Sequence, residues 1–170
     1  MHLVRPMRDY QPFEDLTRPH LAALFQSAFA LLGDRKDAET AVRQTCIRSH
    51  ECLTDSSVMP TGRSWIFGLL LDAVREARER TRGRGAIRSG REGNSDEILQ
   101  SLRNLSEEQA QVMVLVEIQE FTYQEAADAL GLNREALIEI LIAARRQFRA
   151  LMEDGRERPP QFIALTGRAC

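Results

Sequence analysis

At 170 residues and 43% hydrophobic content, the chain can bury a core of its own, as one domain or as two small ones. A formal net charge of −2 gives no overall drive toward nucleic acid, so any such role rests on where the charges fall. Cys46, Cys52 and Cys170 are an odd number without a framework spacing, which argues against a disulfide scaffold and for a reduced, cytoplasmic setting.

Few aromatic residues and little strand-like alternation point to an all-α fold. The apolar runs from Leu21 to Leu32 and from Trp65 to Val74 are too short and too interrupted to span a bilayer, and no cationic-then-apolar leader opens the chain. Soluble protein without membrane insertion is the expectation.

In chain order, residues 1–15 hold Pro6 and Pro12 without a period and read as a loose or docking extension. Residues 16–80 read as a helical domain. Leu21, Leu24, Phe25, Ala28, Phe29 and Leu32 follow helical spacing and stop at Gly33. Asp34 then caps a second helix, from Arg35 to about Leu53, with a narrow stripe of Ala38, Ala41, Val42, Thr45 and Cys46. Thr54 to Gly62 is a loop. A third helix, from about Arg63 to Arg80, carries Trp65, Ile66, Leu69, Leu70 and Ala73 on its buried side.

Residues 81–96, rich in Gly, Ser and Arg, read as a flexible linker. The arginines at 75, 78, 80, 82, 84, 88 and 91 are set against only Glu76 and Glu79. Two readings are open: an electrostatic footprint for a phosphate backbone, or a solvated charged helix end.

Residues 97–153 form a second helical domain. Leu105-Ser106-Glu107-Glu108-Gln109 opens a helix with a buried-looking run, Val112, Met113, Leu115, Val116 and Ile118. Thr122 and Glu125 have capping-box spacing. Ala126, Ala127 and Leu130 form an apolar face, Gly131 suits the left-handed stop, and Asn133 can cap the next helix. This is a helix-turn-helix pattern, and on these residues alone an ordinary helical hairpin is the competing reading. A long helix follows, with a core stripe of Leu137, Leu141, Ala144, Phe148 and Leu151. Residues 154–170, with Pro159-Pro160 and then Phe162-Ile163-Ala164-Leu165, are expected to be disordered or to dock on a partner.

Cys46, His50 and Cys52 share a helix, but Cys52 lies off the common face and no fourth ligand follows at zinc-site spacing, so no metal is assigned. No cofactor is assigned either. There is no Ser/His or Cys/His arrangement, no glycine-rich phosphate loop after a strand, and no carboxylate pair with a pocket. The chain reads as a non-enzyme.

The stretch Asn104 to Met152 resembles region 4 of the sigma-70 family, especially its extracytoplasmic-function type. Leu31-Leu32-Gly33-Asp34-Arg35-Lys36-Asp37-Ala38-Glu39, and later Trp65-Ile66-Phe67-Gly68-Leu69-Leu70-Leu71-Asp72-Ala73, resemble region 2 of that family. The resemblance implies a sigma factor that binds core RNA polymerase at the β′ clamp and the β flap and directs promoter-specific initiation, held by an anti-sigma protein. It puts polymerase contacts at Asp37, Glu39, Arg43, Gln44 and Arg48. It puts promoter DNA at Trp65, Arg75, Arg78, Arg80, Arg82 and Arg84, and at Asn133, Arg134, Arg145, Arg146 and Arg149.

The departures fall on those positions. Where the family has Asp-Leu-Val-Gln-Glu, this chain has Thr40-Ala41-Val42-Arg43-Gln44. Where the recognition helix carries lysine, arginine and histidine, this one carries Ile138 and Ile142, and isoleucine offers a base edge only contact with a thymine methyl. From Glu97 to Asp154, five arginines stand against eleven acidic residues, a net charge of −6. Ile138 and Ile142 are therefore expected to face a protein partner. The alternative function is a sigma-like protein that occupies an anti-sigma factor or another partner without reading DNA.

Overall fold

The computed structural model describes residues 17–55, 62–82 and 94–156. The expected extension at 1–15, most of the linker, including Arg84, and the tail from 157 on lie outside them. A 3-10 turn, Arg18–His20, leads into helix α1, Leu21–Leu32. Helices α2 (Arg35–Asp55) and α3 (Arg63–Arg82) complete a first module. The second module holds α4 (Asn94–Arg103), α5 (Glu107–Met113) continued by a π turn (Val114–Ile118), α6 (Tyr123–Leu130) and α7 (Arg134–Arg156). No strand occurs among the described residues, and none of their helices is long and apolar enough to cross a membrane. Helix occupies both ends of the expected linker, through Arg82 and again from Asn94.

Local chemistry sets most of these boundaries. Gly33 ends α1 in the left-handed conformation at φ 75°, its N–H donating to the Phe29 carbonyl, a backbone state that costs glycine little. The next residue starts α2: Asp34 Oδ1 accepts from the N–H groups of Lys36 (2.8 Å) and Asp37 (3.0 Å), two donors that the first turn would otherwise leave bare. Ser106 and Gln109 close a capping box at the start of α5.

Within the first module, Leu24, Ala28 and Leu31 of α1 meet Ala38, Ala41 and Thr45 of α2 and Ile66, Leu70, Ala73 and Val74 of α3, all buried. Arg48 and Glu76 tie α2 to α3, Nη2 reaching both carboxylate oxygens at 2.7 Å. Arg78 caps α1 from α3, donating to the Leu31 carbonyl at 2.9 Å.

The two modules share one continuous hydrophobic core. Helix α3 is apolar on two sides: one packs on α1 and α2, the other on α6. Phe67 and Leu71, outside the expected buried set, are therefore buried. Phe67 meets the ring of Phe121 edge-on, with centroids 4.9 Å apart. Gly68 lets the helices close, because a Cβ there would sit 3.0 Å from the Ala129 carbonyl oxygen.

One expected core residue is not in the core. Ile118 is 44% exposed. The π turn makes the Gln119 N–H donate to Val114, five residues back, and this wider turn carries Ile118 off the face of buried Val114 and Leu115.

Candidate nucleic-acid and partner interfaces

The helix-turn-helix is built from short-range bonds. Thr122 Oγ1 accepts from the Glu125 N–H at 3.2 Å while Glu125 Oε2 accepts from the Thr122 N–H at 2.9 Å, the reciprocal capping box read from the sequence. Gly131 stops α6 at φ 66°, and Asn133 Oδ1 accepts from the Ala136 N–H at 2.7 Å to start α7. Asn133, expected to touch DNA, thus also caps the helix that would carry the contacts. Small Ala126 and Ala127 are fully buried, as are Leu137, Leu141 and Ala144 on α7.

This leaves the outer face of α7 to Arg134, Glu135, Glu139, Ile142, Arg146 and Arg149, all exposed, with Ile138 half-buried beside them. Neither isoleucine enters the core of the module: Ile142 is 45% exposed. Arg145, read as a phosphate contact, is engaged within the module. Its Nε and Nη2 donate to Glu117 Oε1 at 2.8 and 2.6 Å, and that bond, with a further one to Tyr123, raises its pKa. Arg134, Arg146 and Arg149 remain as exposed cations on a helix that also presents Glu135 and Glu139.

On α3, the arginines point in different directions. Arg75 crosses to the second module, Nε to Glu107 Oε1 at 3.3 Å, and also holds Asp72 at 3.3 Å. Arg78 is spent on α1, and Arg80 donates to the Glu76 carbonyl at 3.2 Å and to Gln44 Oε1 at 3.5 Å. Trp65 is half-buried against the core. The side chains of Arg82 and Arg84 lie outside the described residues. The structure thus brings Arg75, Arg78 and Arg80 onto one helix but directs each to an acceptor of its own.

The polymerase-facing set lies along α2. Glu39 is exposed and pairs with Arg35 at 2.9 Å, Arg43 is exposed, and Asp37 and Gln44 are half-buried. Arg48 is committed to Glu76. Beside Arg43, Ile47 is 52% exposed. Cys46 and Cys52 are free thiols, half-buried, and burial pushes the Cys46 thiol pKa up. Among the described residues no group of three or more His, Cys, Asp or Glu side chains could hold a metal.

Sequence reasoning missed Arg63. From the first turn of α3 its Nη1 and Nη2 donate to the carbonyls of Gln119 (3.2 Å) and Glu120 (2.9 Å), and its guanidinium pairs with Glu125. Glu120 has a positive φ of 53°, uncommon outside glycine, so the turn that feeds these carbonyls to Arg63 is a strained one. The helix-turn-helix is thereby seated on α3 by its own capping residue. A second apolar stripe at Phe67 and Leu71, flanked by Arg63 and Arg75 at four-residue spacing, was the signal for it.

The family profile "Sigma-70, region 4" matches residues 95–137, from the start of α4 into α7. No curated protein matches the sequence. Among solved structures, CnrH in complex with the cytosolic domain of CnrY is 25% identical, aligned over 85% of this chain and 90% of that one, with a TM-score of 0.70. The sigma factor RpoE of Bartonella quintana, in complex with the anti-sigma factor NepR, shares the fold at 20% identity, over 82% of this chain and 98% of that one, with a TM-score of 0.66. The region 4 profile thus falls on the module that carries the helix-turn-helix, and the fold across both modules is similar to that of a sigma factor.

Proposed function

We propose that this chain is a sigma factor of the sigma-70 family, of the extracytoplasmic-function type, that binds core RNA polymerase and directs initiation at a promoter of its own, in the cytoplasm. The observation that carries the reading is the helix-turn-helix, capped at Thr122 and Asn133, inside the region 4 match. In this reading α2 offers Asp37, Glu39, Arg43 and Gln44 to the β′ clamp, while Arg48 acts from behind by holding Glu76. The upstream element meets α7 at Arg134, Arg146 and Arg149, chiefly through phosphates. The second module meets the β flap. The melted strand runs near Trp65 and the arginines from Arg75 on. The complexes of CnrH with CnrY and of RpoE with NepR support an anti-sigma partner here too. The role is regulatory, with no chemistry of its own.

One observation favours a second reading, a protein mimic that engages an anti-sigma factor without reading DNA. The recognition helix exposes Ile142 within a module of net charge −6, and acidic surfaces lack the cationic contacts that supply sequence-independent DNA affinity. Run-off transcription with purified chain and bacterial core polymerase on a promoter library separates the two. Initiation that depends on an upstream motif supports the sigma factor. Absence of core binding, together with tight binding to an anti-sigma protein, supports the mimic.

A further inference from the structure

Between α4, the π turn and the last turns of α7 runs an open apolar groove of about 590 Å³, lined by Ile98, Leu102, Met113, Ile118, Phe148 and Met152. Ile98 and Ile118 are 48% and 44% exposed. They are two of the few large apolar side chains that the described residues leave this open to water, and both line the same groove. A charged rim, Glu117 paired with Arg145 at 2.6 Å, closes one side.

We propose that the occupant is the chain's own segment Phe162-Ile163-Ala164-Leu165, docked in cis. Helix α7 supplies one wall of the groove and ends at Arg156, and Phe162 follows six residues later. Six extended residues reach roughly 20 Å, whereas the way back along α7 from Arg156 to Phe148 is only about 12 Å. Pro159-Pro160, set between the end of α7 and the apolar run, is a pair of residues that disfavours helix continuation. That run stands between polar stretches, Glu157-Arg158 before the prolines and Thr166-Gly167-Arg168 after it. A short tether holds the segment at an effective concentration on the order of millimolar, which a second copy or a foreign helix does not match at ordinary concentrations. A partner that binds this groove must first displace the tail. The proposal concerns the chain alone and is independent of the polymerase reading.

The test is methyl NMR on the full-length chain. Nuclear Overhauser cross-peaks from the Phe162 ring to the Ile98 and Ile118 methyls are expected, at positions independent of protein concentration. In the variant Phe162→Ala, Leu165→Ala these cross-peaks vanish and both methyl resonances shift, while the Ile66 methyls, buried in the first module, stay in place. Cross-peaks that are absent from the unmodified chain overturn the proposal, as do Ile98 and Ile118 resonances indifferent to the substitutions. Cross-peaks that strengthen with concentration assign the groove to a second copy and overturn it equally.

Discussion

The guanidinium of Arg63 lies over the ring of Phe121, 4.0 Å from its centroid, and the same hand of nitrogens grips the Gln119 and Glu120 carbonyls. A cation–π contact contributes about 0.5–2 kcal/mol, and hydrogen bonds to a charged group about 1.5–3 kcal/mol. Discounted for the partial exposure of the pair, Arg63→Ala is expected to lower stability by about 2 kcal/mol. Lysine at 63 restores little, since one ammonium cannot reproduce the fork. Thermal unfolding together with small-angle scattering checks this. An unchanged midpoint and an unchanged radius of gyration would show that the modules are held elsewhere.

Gly68 sets how closely α3 and α6 approach. A backbone carbonyl, that of Ala129, stands 3.0 Å from where its Cβ would be, and unlike a side-chain tip it cannot swing aside. Alanine gains about 1 kcal/mol of helix propensity over glycine, which offsets part of the strain, so Gly68→Ala is expected to be close to neutral. Gly68→Val adds bulk with no such return. Hydrogen exchange should speed up in α6 and around Phe121 in that variant while the Leu24 and Ile66 region stays protected. Uniform protection in both modules would refute the tight-contact account.

Glu125 carries an acid-sensitive share of the seam. The Thr122 backbone N–H first, then the Arg63 guanidinium and the Thr122 hydroxyl, lower its pKa to about 2, from an unfolded value near 4.3. A depressed carboxylate stabilises the fold fully above its unfolded pKa and loses that contribution as pH falls toward the folded one. The stability gap between the native chain and Glu125→Gln should therefore be widest near neutral pH and narrow from about pH 5 down to pH 2. Denaturant midpoints across that range measure it, and a gap of constant width would assign the acid sensitivity to another group.

The outer face of α7 makes a prediction about salt. Replacing Ile138 by Lys and Ile142 by Arg adds two cations beside Arg134 and Arg146. If this face meets DNA, sequence-independent affinity rises and the slope of log K against log salt steepens by about 1–2. Ile142 is exposed enough that its own substitution should change stability by no more than about 0.5 kcal/mol. Fluorescence anisotropy on a duplex over a salt series gives the slope, and an unchanged slope would turn α7 away from the phosphates.

Where a feature was written within four residues of sequence, it could be read. Thr122 with Glu125, Gly131, Asn133, Gly33 and Asp34 all act on neighbours along the chain, and each does in three dimensions what its chemistry announces. The core stripe of α7 at Leu137, Leu141 and Ala144 was legible for the same reason. Phe67 was not, because the ring that meets it, Phe121, arrives more than fifty residues later. Ile118 was misplaced because periodicity assumes a constant turn, and the π turn breaks it. The arginines were hardest. A cation such as Arg48, Arg78 or Arg145 looks available to a partner until an acceptor 28 or 47 residues away is seen to hold it.

Helix α3 is a surface with two claimants. Its face carrying Arg63, Phe67 and Leu71 is used to hold α6, so a ligand that needs that face meets only the fraction of molecules in which the modules have parted. If the parted form is about one in a hundred, the apparent affinity falls about a hundredfold below the intrinsic one. The strength of the grip around Phe121 thus acts as a threshold on association, and a substitution far from any ligand can move that threshold without touching a single contact.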